Sequence, residues 1–271
     1  TRTGQRKQTG RGKYRMRQSK AAQFWNSFKI AFSMYSKIPM PQCEWTEENM
    51  AYAMCFFPWV GAVIGGLTWA FGTFGADWGL SPAFYTVILV LIPWLITGGI
   101  HLDGLLDTAD AMASYQGRER RLEILKDSHT GAFAVITCVV YFMFYYGVYS
   151  QASVRVFPVI GLSFMMSRAF SALAIVTFPK AKKTGSVSAM ARGSRDRQVQ
   201  ITMGIYLLLI AAVMIWLDRK LGIACCLIAL ITYGIYYWQS KKHFGGITGD
   251  LAGCFLTLCE LFMACGAVLL A

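Results

Sequence analysis

Residues 87–112 read VILVLIPWLITGGIHLDGLLDTADAM, and the change of character inside that stretch sets the fold. As far as Thr97 there is no charged side chain; after two glycines come His101, Asp103, Asp107 and Asp110, with no lysine or arginine among them. So apolar a run belongs in a protein core or in lipid, and composition decides between the two. Of 271 residues, 55% are hydrophobic and 15% charged, with a mean hydropathy of +0.44, more apolar than a water-soluble domain can cover with polar surface. The expectation is an all-α, polytopic membrane bundle. A crossing helix needs roughly 20 mostly apolar residues, and seven segments come close: 50–74, 83–100, 130–150, 156–178, 199–217, 221–239 and 251–271. The aspartate motif continues the second of them.

Orientation follows from the basic residues, because lysine and arginine between spans are retained in the cytoplasm. The first twenty residues hold eight basic side chains and no acid, which puts the N-terminus inside. The links then alternate: GADWGLSP has no lysine or arginine, 101–129 carries Arg118, Arg120, Arg121 and Lys126, SQASV is neutral, 179–198 is strongly basic, and SKKHFGGITGD is basic again. Only the short DRK runs against the pattern. The net charge of +12 is thus mostly tail and topology. No basic stripe interleaved with aromatics suggests nucleic acid.

Residues 1–20 read as a basic, disordered tail, and 21–271 as a single transmembrane domain. FWNSFKIAFSMYSKIPMP is broken by Lys29 and Lys37, so it is no secretory signal. Phe24, Phe28, Ala31 and Tyr35 recur at helical spacing, which predicts a short interfacial helix over about 22–37. The eight cysteines show no C-x-x-C spacing and read as small buried hydrophobes.

On a helix Asp103, Asp107 and Asp110 fall at i, i+4 and i+7, one stripe of like charges that repel. A divalent cation would relieve them, and oxygen ligands without a thiolate favour Mg²⁺ or Mn²⁺ over zinc. Gly104 would let a ligand approach the backbone. The plainer reading, a helix end whose acids merely meet water, suits a lone aspartate better than three in phase, since acids at the end of a span tend to mark function. A second acidic point lies in HFGGITGDLAGC, where Gly245, Gly246, Gly249 and Gly253 surround Asp250. Topology puts Asp250 on the same side as Asp103, so the two could form one Mg²⁺ site for a pyrophosphate; the alternative is a glycine-rich turn with Asp250 as helix cap. His101, His129 and His243 all fall on links assigned to that side. Arg168 and Glu260 lie inside spans, where Arg168 could reach a phosphate or pair with Glu260. The basic residues of GRERRLEILKDSHTG and PKAKKTGSVSAMARGSRDR suit phosphate oxygens.

GGIHLDGLLDTADAMAS, GRERRLEILKDSHTGAFAV, SRAFSALAI, MARG and FGGITGDLAGCFLTLCE together resemble the cobalamin synthase family, the adenosylcobinamide-GDP ribazoletransferases, from about residue 24 onward. In CFLTLCE the region around Thr257 is more apolar than the family pattern, leaving Glu260 as the acidic candidate of the last span. The resemblance implies an enzyme of the cytoplasmic (inner) membrane, with its site facing the cytoplasm. It would join adenosylcobinamide-GDP to α-ribazole or its 5′-phosphate and release GMP, with Mg²⁺ as cofactor. On that reading Asp103, Asp107 and Asp250 hold the metal, Asp110 or His101 takes the proton of the attacking ribose hydroxyl, and Arg168, Lys126, Gly104 and Gly249 meet the substrate. Lipid surrounds the chain, and a homo-oligomer is neither required nor excluded. The rivals are another Mg-dependent membrane phosphotransferase or prenyltransferase, although H-L-D-G-L-L-D lacks the D-x-x-D-G opening of the CDP-alcohol enzymes. A cation-coupled transporter is further off, because its acids would sit near mid-bilayer.

Overall fold

The structure, a computed structural model, describes residues 19–181 and 195–271. These form the helices α1 (Lys20–Tyr35), α2 (Glu47–Met50), α3 (Ala53–Phe74), α4 (Pro82–Thr97), α5 (Ile100–Ala113), α6 (Arg118–Ile124), α7 (Ala132–Tyr149), α8 (Phe157–Thr177), α9 (Asp196–Leu217), α10 (Arg219–Gln239) and α11 (Gly249–Leu270). Among the described residues there is no strand, only an isolated bridge between Lys180 and Ile247. Of the basic tail only Ser19 and Lys20 are described, and the MARG segment with Lys182, Lys183 and Arg192 lies outside the described residues.

Among the described residues six helices are each long and apolar enough to cross a membrane: α3, α7, α8, α9, α10 and α11. The most enclosed is α8, 83% buried along its apolar window against 17% for α7, so α8 is the hub and α7 presents its side chains outward. Apolar burial drives little association between helices when the surroundings are lipid, so close backbone approach has to do it. Gly61 and Gly65 of α3 supply that approach. A Cβ on either would overlap the backbone of Phe164 or Gly161 in α8. All eight cysteines are free thiols; Cys55, Cys225 and Cys259 are buried as expected, and the other five are half-buried.

The second expected span is bent: α4 and α5 together make a seventh crossing when the pair is taken as one span. The segment read as 83–100 ends as a helix at Thr97, and α5 leaves α4 at an angle of 94°. Gly98 (φ 65°) and Gly99 (φ 82°) both take the left-handed conformation, which side chains disfavour and glycine adopts freely. The aspartate motif therefore continues the second span as a helix of its own, turned sharply away from α4.

Several contacts draw the same end together. Lys37 N–H donates to Ile96 at the end of α4, Arg195 N–H to Ala51 just before α3, and Ile247 N–H to Pro179 just after α8. The helix expected at 22–37 is α1, held against the entry to α3 by stacking of Phe24 on Tyr52 and the edge-to-face contact of Phe28 with Phe56. At the opposite end Arg155 donates to Asp218 at 2.9 Å through Nε, and Asp218 also caps α10.

Candidate functional site

Two glycines decide where the acids meet. A Cβ on Gly104 of α5 would stand 2.5 Å from the carbonyl oxygen of Asp250, and one on Gly253 of α11 would stand 2.9 Å from that of His101. The two helices thus cross backbone to backbone, with Asp250 against the turn that carries Asp103 and Asp107. The expectation that Gly104 makes room for a ligand is corrected accordingly: Asp250 fills that room. Gly245 (φ 73°) and Gly246 (φ 153°) turn the chain out of α10, and Ile247 bridges to the segment after α8. Thr248 is the cap of α11, its Oγ1 accepting from Leu251 N–H at 3.2 Å. Asp250 is therefore not the cap. It sits in the first turn, with Thr248 Oγ1 donating to its Oδ2 at 3.4 Å, and Gly249 opens the helix.

Helix α5 lies outside the six spans, and its acids feel each other. Burial first, then the charges of Asp103, Asp250 and Asp110, push the Asp107 carboxyl up to about 6. Asp103 is exposed and Asp107 half-buried; among the described residues neither takes part in a salt bridge. Among those residues, too, no three histidine, cysteine or acidic side chains stand close enough to enclose a metal ion by themselves. That geometry does not suit a closed protein cage. It does suit Mg²⁺, which is commonly held by one or two carboxylates and completed by water and substrate phosphates.

Asp110 has other work. Its Oδ2 accepts from Gly131 N–H at 2.7 Å and its Oδ1 from Ala134 N–H at 2.9 Å. These amides open α7, so Asp110 caps a neighbouring helix whose first donors have no partner within it. A Cβ on Gly131 would press on that carboxylate at 2.6 Å. Both carboxylate oxygens of Asp110 are thus engaged at the start of α7.

His101 points inward. Its ring lies 6.1 Å from that of Tyr35 and 5.9 Å from that of Phe57, and its Nε2 is enclosed without a hydrogen-bond partner. It faces a cavity of about 30 Å³ shared with Arg168 and Glu260, about the room of one water. His101 is thus enclosed between aromatic rings and the Arg168–Glu260 pair.

Arg168 resolves its own alternative. It is 1% exposed, and its Nη1 donates to Glu260 Oε1 at 2.6 Å and to the Phe164 carbonyl at 2.9 Å. Ser167 Oγ donates to the same Glu260 oxygen at 2.8 Å. The pair, rather than a phosphate, is its partner, because a charge held within a span must be neutralised locally. Lys126 is exposed beyond the end of α6. The histidines do not converge: His129 bonds Asp127 at 2.6 Å, and His243 meets Arg121 at 2.8 Å. Arg118 lies over Gly245 and donates to the Ala181 carbonyl at 3.3 Å, so this basic segment borders the turn before α11.

One group escaped the sequence reading. Tyr236, Gln239 and Ser240, at the end of α10, each hold a buried polar atom without a partner. Their i, i+3, i+4 spacing at the close of an apolar run was the available signal.

A family model for cobalamin-5-phosphate synthase matches residues 27–268. The adenosylcobinamide-GDP ribazoletransferase of Lachnoclostridium phytofermentans is 47% identical over 244 residues, covering 90% of this chain and 94% of that protein. The enzyme of the same name from Clostridium botulinum is 33% identical over 250 residues (89% and 98%), and that from Clostridium perfringens 31% over 243 residues (88% and 95%). No solved structure matches.

Proposed function

The chain belongs to the cobalamin-5-phosphate synthase family, and we propose that the carboxylate end of its bundle is where it performs the ribazoletransferase reaction for which its relatives are named. In that reaction an oxygen of α-ribazole, or of its 5′-phosphate, bonds to the corrinoid-side phosphorus of adenosylcobinamide-GDP. The bond from that phosphorus to the bridging oxygen breaks, and GMP leaves with the bridging oxygen and its electron pair. The observation that carries the assignment of place is the glycine crossing, which sets Asp250 beside Asp103 and Asp107.

Asp103 and Asp107 would hold Mg²⁺ at the substrate pyrophosphate, with Asp250 adding its charge beside them. Bound there, Mg²⁺ would neutralise charge on the pyrophosphate and on departing GMP. The chain's own part is positioning. Asp110 fixes α7 against α5, the double glycine at 98 and 99 swings the acids across the bundle end, and Arg118 secures the turn that delivers Asp250. Phosphoryl transfer passes through a loose transition state that asks more of position and electrostatics than of a base. The ribose hydroxyl can therefore shed its proton late, to the exposed carboxylate face, and needs neither His101 nor Asp110.

The face is assigned to the cytoplasm of the inner membrane. Supporting this, Lys37, Arg118, Arg120, Arg121, Lys126, Lys180, Lys241 and Lys242 lie on links at the carboxylate end, against Arg155, Arg219 and Lys220 at the other. Purified protein supplied with adenosylcobinamide-GDP and α-ribazole should release GMP only when Mg²⁺ is added. Corrinoid uptake into sealed vesicles without GMP release would favour transport instead.

A further inference from the structure

We propose that the cavity lined by α5, α10 and α11 is the subsite for the flat heteroaromatic base of the acceptor riboside, an inference that rests on the transferase reading above. Its position is the first argument. The cavity is lined by Thr108, which follows Asp107, and by Leu251 and Cys254, which follow Asp250 on α11. It therefore begins where the carboxylates end, so a base seated in it would leave the attached ribose at the acidic face.

Size and shape agree. The cavity holds about 180 Å³, and an apolar cavity of roughly 150 Å³ accepts a benzene ring. Phe255 and Tyr236, both lining residues, stack with ring centroids 4.9 Å apart and planes 16° apart, which gives the cavity a flat side. The third argument is polar. Tyr236, Gln239 and Ser240 line this cavity, and Tyr236 Oη, Gln239 Oε1 and Ser240 Oγ are buried without partners. Tyr236 is 6% exposed and Ser240 1%. Buried polar atoms normally find partners, and three left together in one cavity point to a missing one. A lipid chain would leave all three unmet. The ribazole base, a methylated benzimidazole, brings both the flat apolar body and a ring nitrogen that can accept from Tyr236 Oη, while the ribose brings hydroxyls that can donate to Gln239 Oε1 and Ser240 Oγ.

The test uses the full-length enzyme with Mg²⁺ and follows GMP release while each substrate is varied in turn. Tyr236→Phe should raise the KM for α-ribazole about 3- to 10-fold, the worth of one neutral hydrogen bond, and leave the KM for adenosylcobinamide-GDP in place. With an indole riboside, whose ring carries C–H where the accepting nitrogen was, wild type and Tyr236→Phe should have the same KM. Cys254→Phe, which fills the cavity, should discriminate by ring size and penalise the dimethylated base more than unmethylated benzimidazole riboside. If Tyr236→Phe and Cys254→Phe leave the KM for α-ribazole unmoved, or shift the KM of both substrates alike, the subsite is overturned; a change confined to the lipid dependence of thermal stability would mark a lipid-filled cavity and overturn it equally. Absence of GMP from the wild-type arm would sink the transferase reading and the subsite with it, whereas normal wild-type turnover with indifferent variants sinks the subsite alone.

Discussion

Two acids on one helix have been treated in opposite ways. Glu260, deep in α11, receives Arg168 and Ser167 within 2.8 Å and is almost fully buried. Asp250, in the first turn of the same helix, has Asp103 and Asp107 for neighbours, so like charges gather there. The difference teaches where lipid makes the decision. An acid surrounded by hydrocarbon must be neutralised by the protein itself, at folding. At the helix end, water can bear the charge until a ligand arrives, and the repulsion becomes a capacity to bind.

The comparison breaks most readily at the acidic end. Asp103→Ala and Asp107→Ala should each lower GMP release by about 1,000-fold or more, since metal charge neutralisation contributes several kcal/mol to such a transfer. Membrane insertion and thermal stability should hold; turnover within tenfold of wild type would remove that residue from the metal site. The converse pattern is expected at Glu260. Arg168→Met leaves a buried acid without its cation and should cost about 3–5 kcal/mol, read as a collapse of folded yield and melting temperature in detergent. The double variant Arg168→Met, Glu260→Leu should recover much of that loss, and failure to recover would mean that the pair does more than neutralise itself.

Smaller effects sharpen the contrast. Asp110→Ala removes two bonds at the start of α7 and should cost about 1–2 kcal/mol of stability, the usual worth of a helix cap, with a milder fall in GMP release than at Asp107. Equal falls would return Asp110 to the chemistry. The gentlest test is pH. The Asp107 carboxyl holds its proton up to about 6 in the fold against 3.8 as a free side chain. Without metal, then, folding stability declines as pH rises across that interval, because the folded state binds more protons than the unfolded one. Activity should fall as pH drops through about 6, and raising Mg²⁺ should shift that limb to lower pH, because metal and proton compete for one carboxylate. A limb indifferent to Mg²⁺ would count against Asp107 as a ligand.

Much of this was legible in the sequence, and unevenly so. The apolar runs announced their helices because crossing length is set by bilayer thickness, and the phase of Asp103 and Asp107 followed from helical geometry. Phase states which face a side chain shares, not what stands opposite it. Asp110 is in phase with the others, yet its partners Gly131 and Ala134 are 21 and 24 residues away, and only the packing of α7 reveals them. Gly98 and Gly99 were in plain view, but glycine is common within membrane helices as a packing residue, so the pair did not declare a right-angled break. Arg168 was read with both of its outcomes, and the nearness of α8 to α11 chose between them.

The shortness of α4 has a consequence for the surrounding lipid. Sixteen residues at 1.5 Å each make a rod of about 24 Å, some 6 Å less than a typical hydrocarbon layer of about 30 Å. A helix that short needs the turn into α5, flanking residues or a thinner bilayer to complete the crossing.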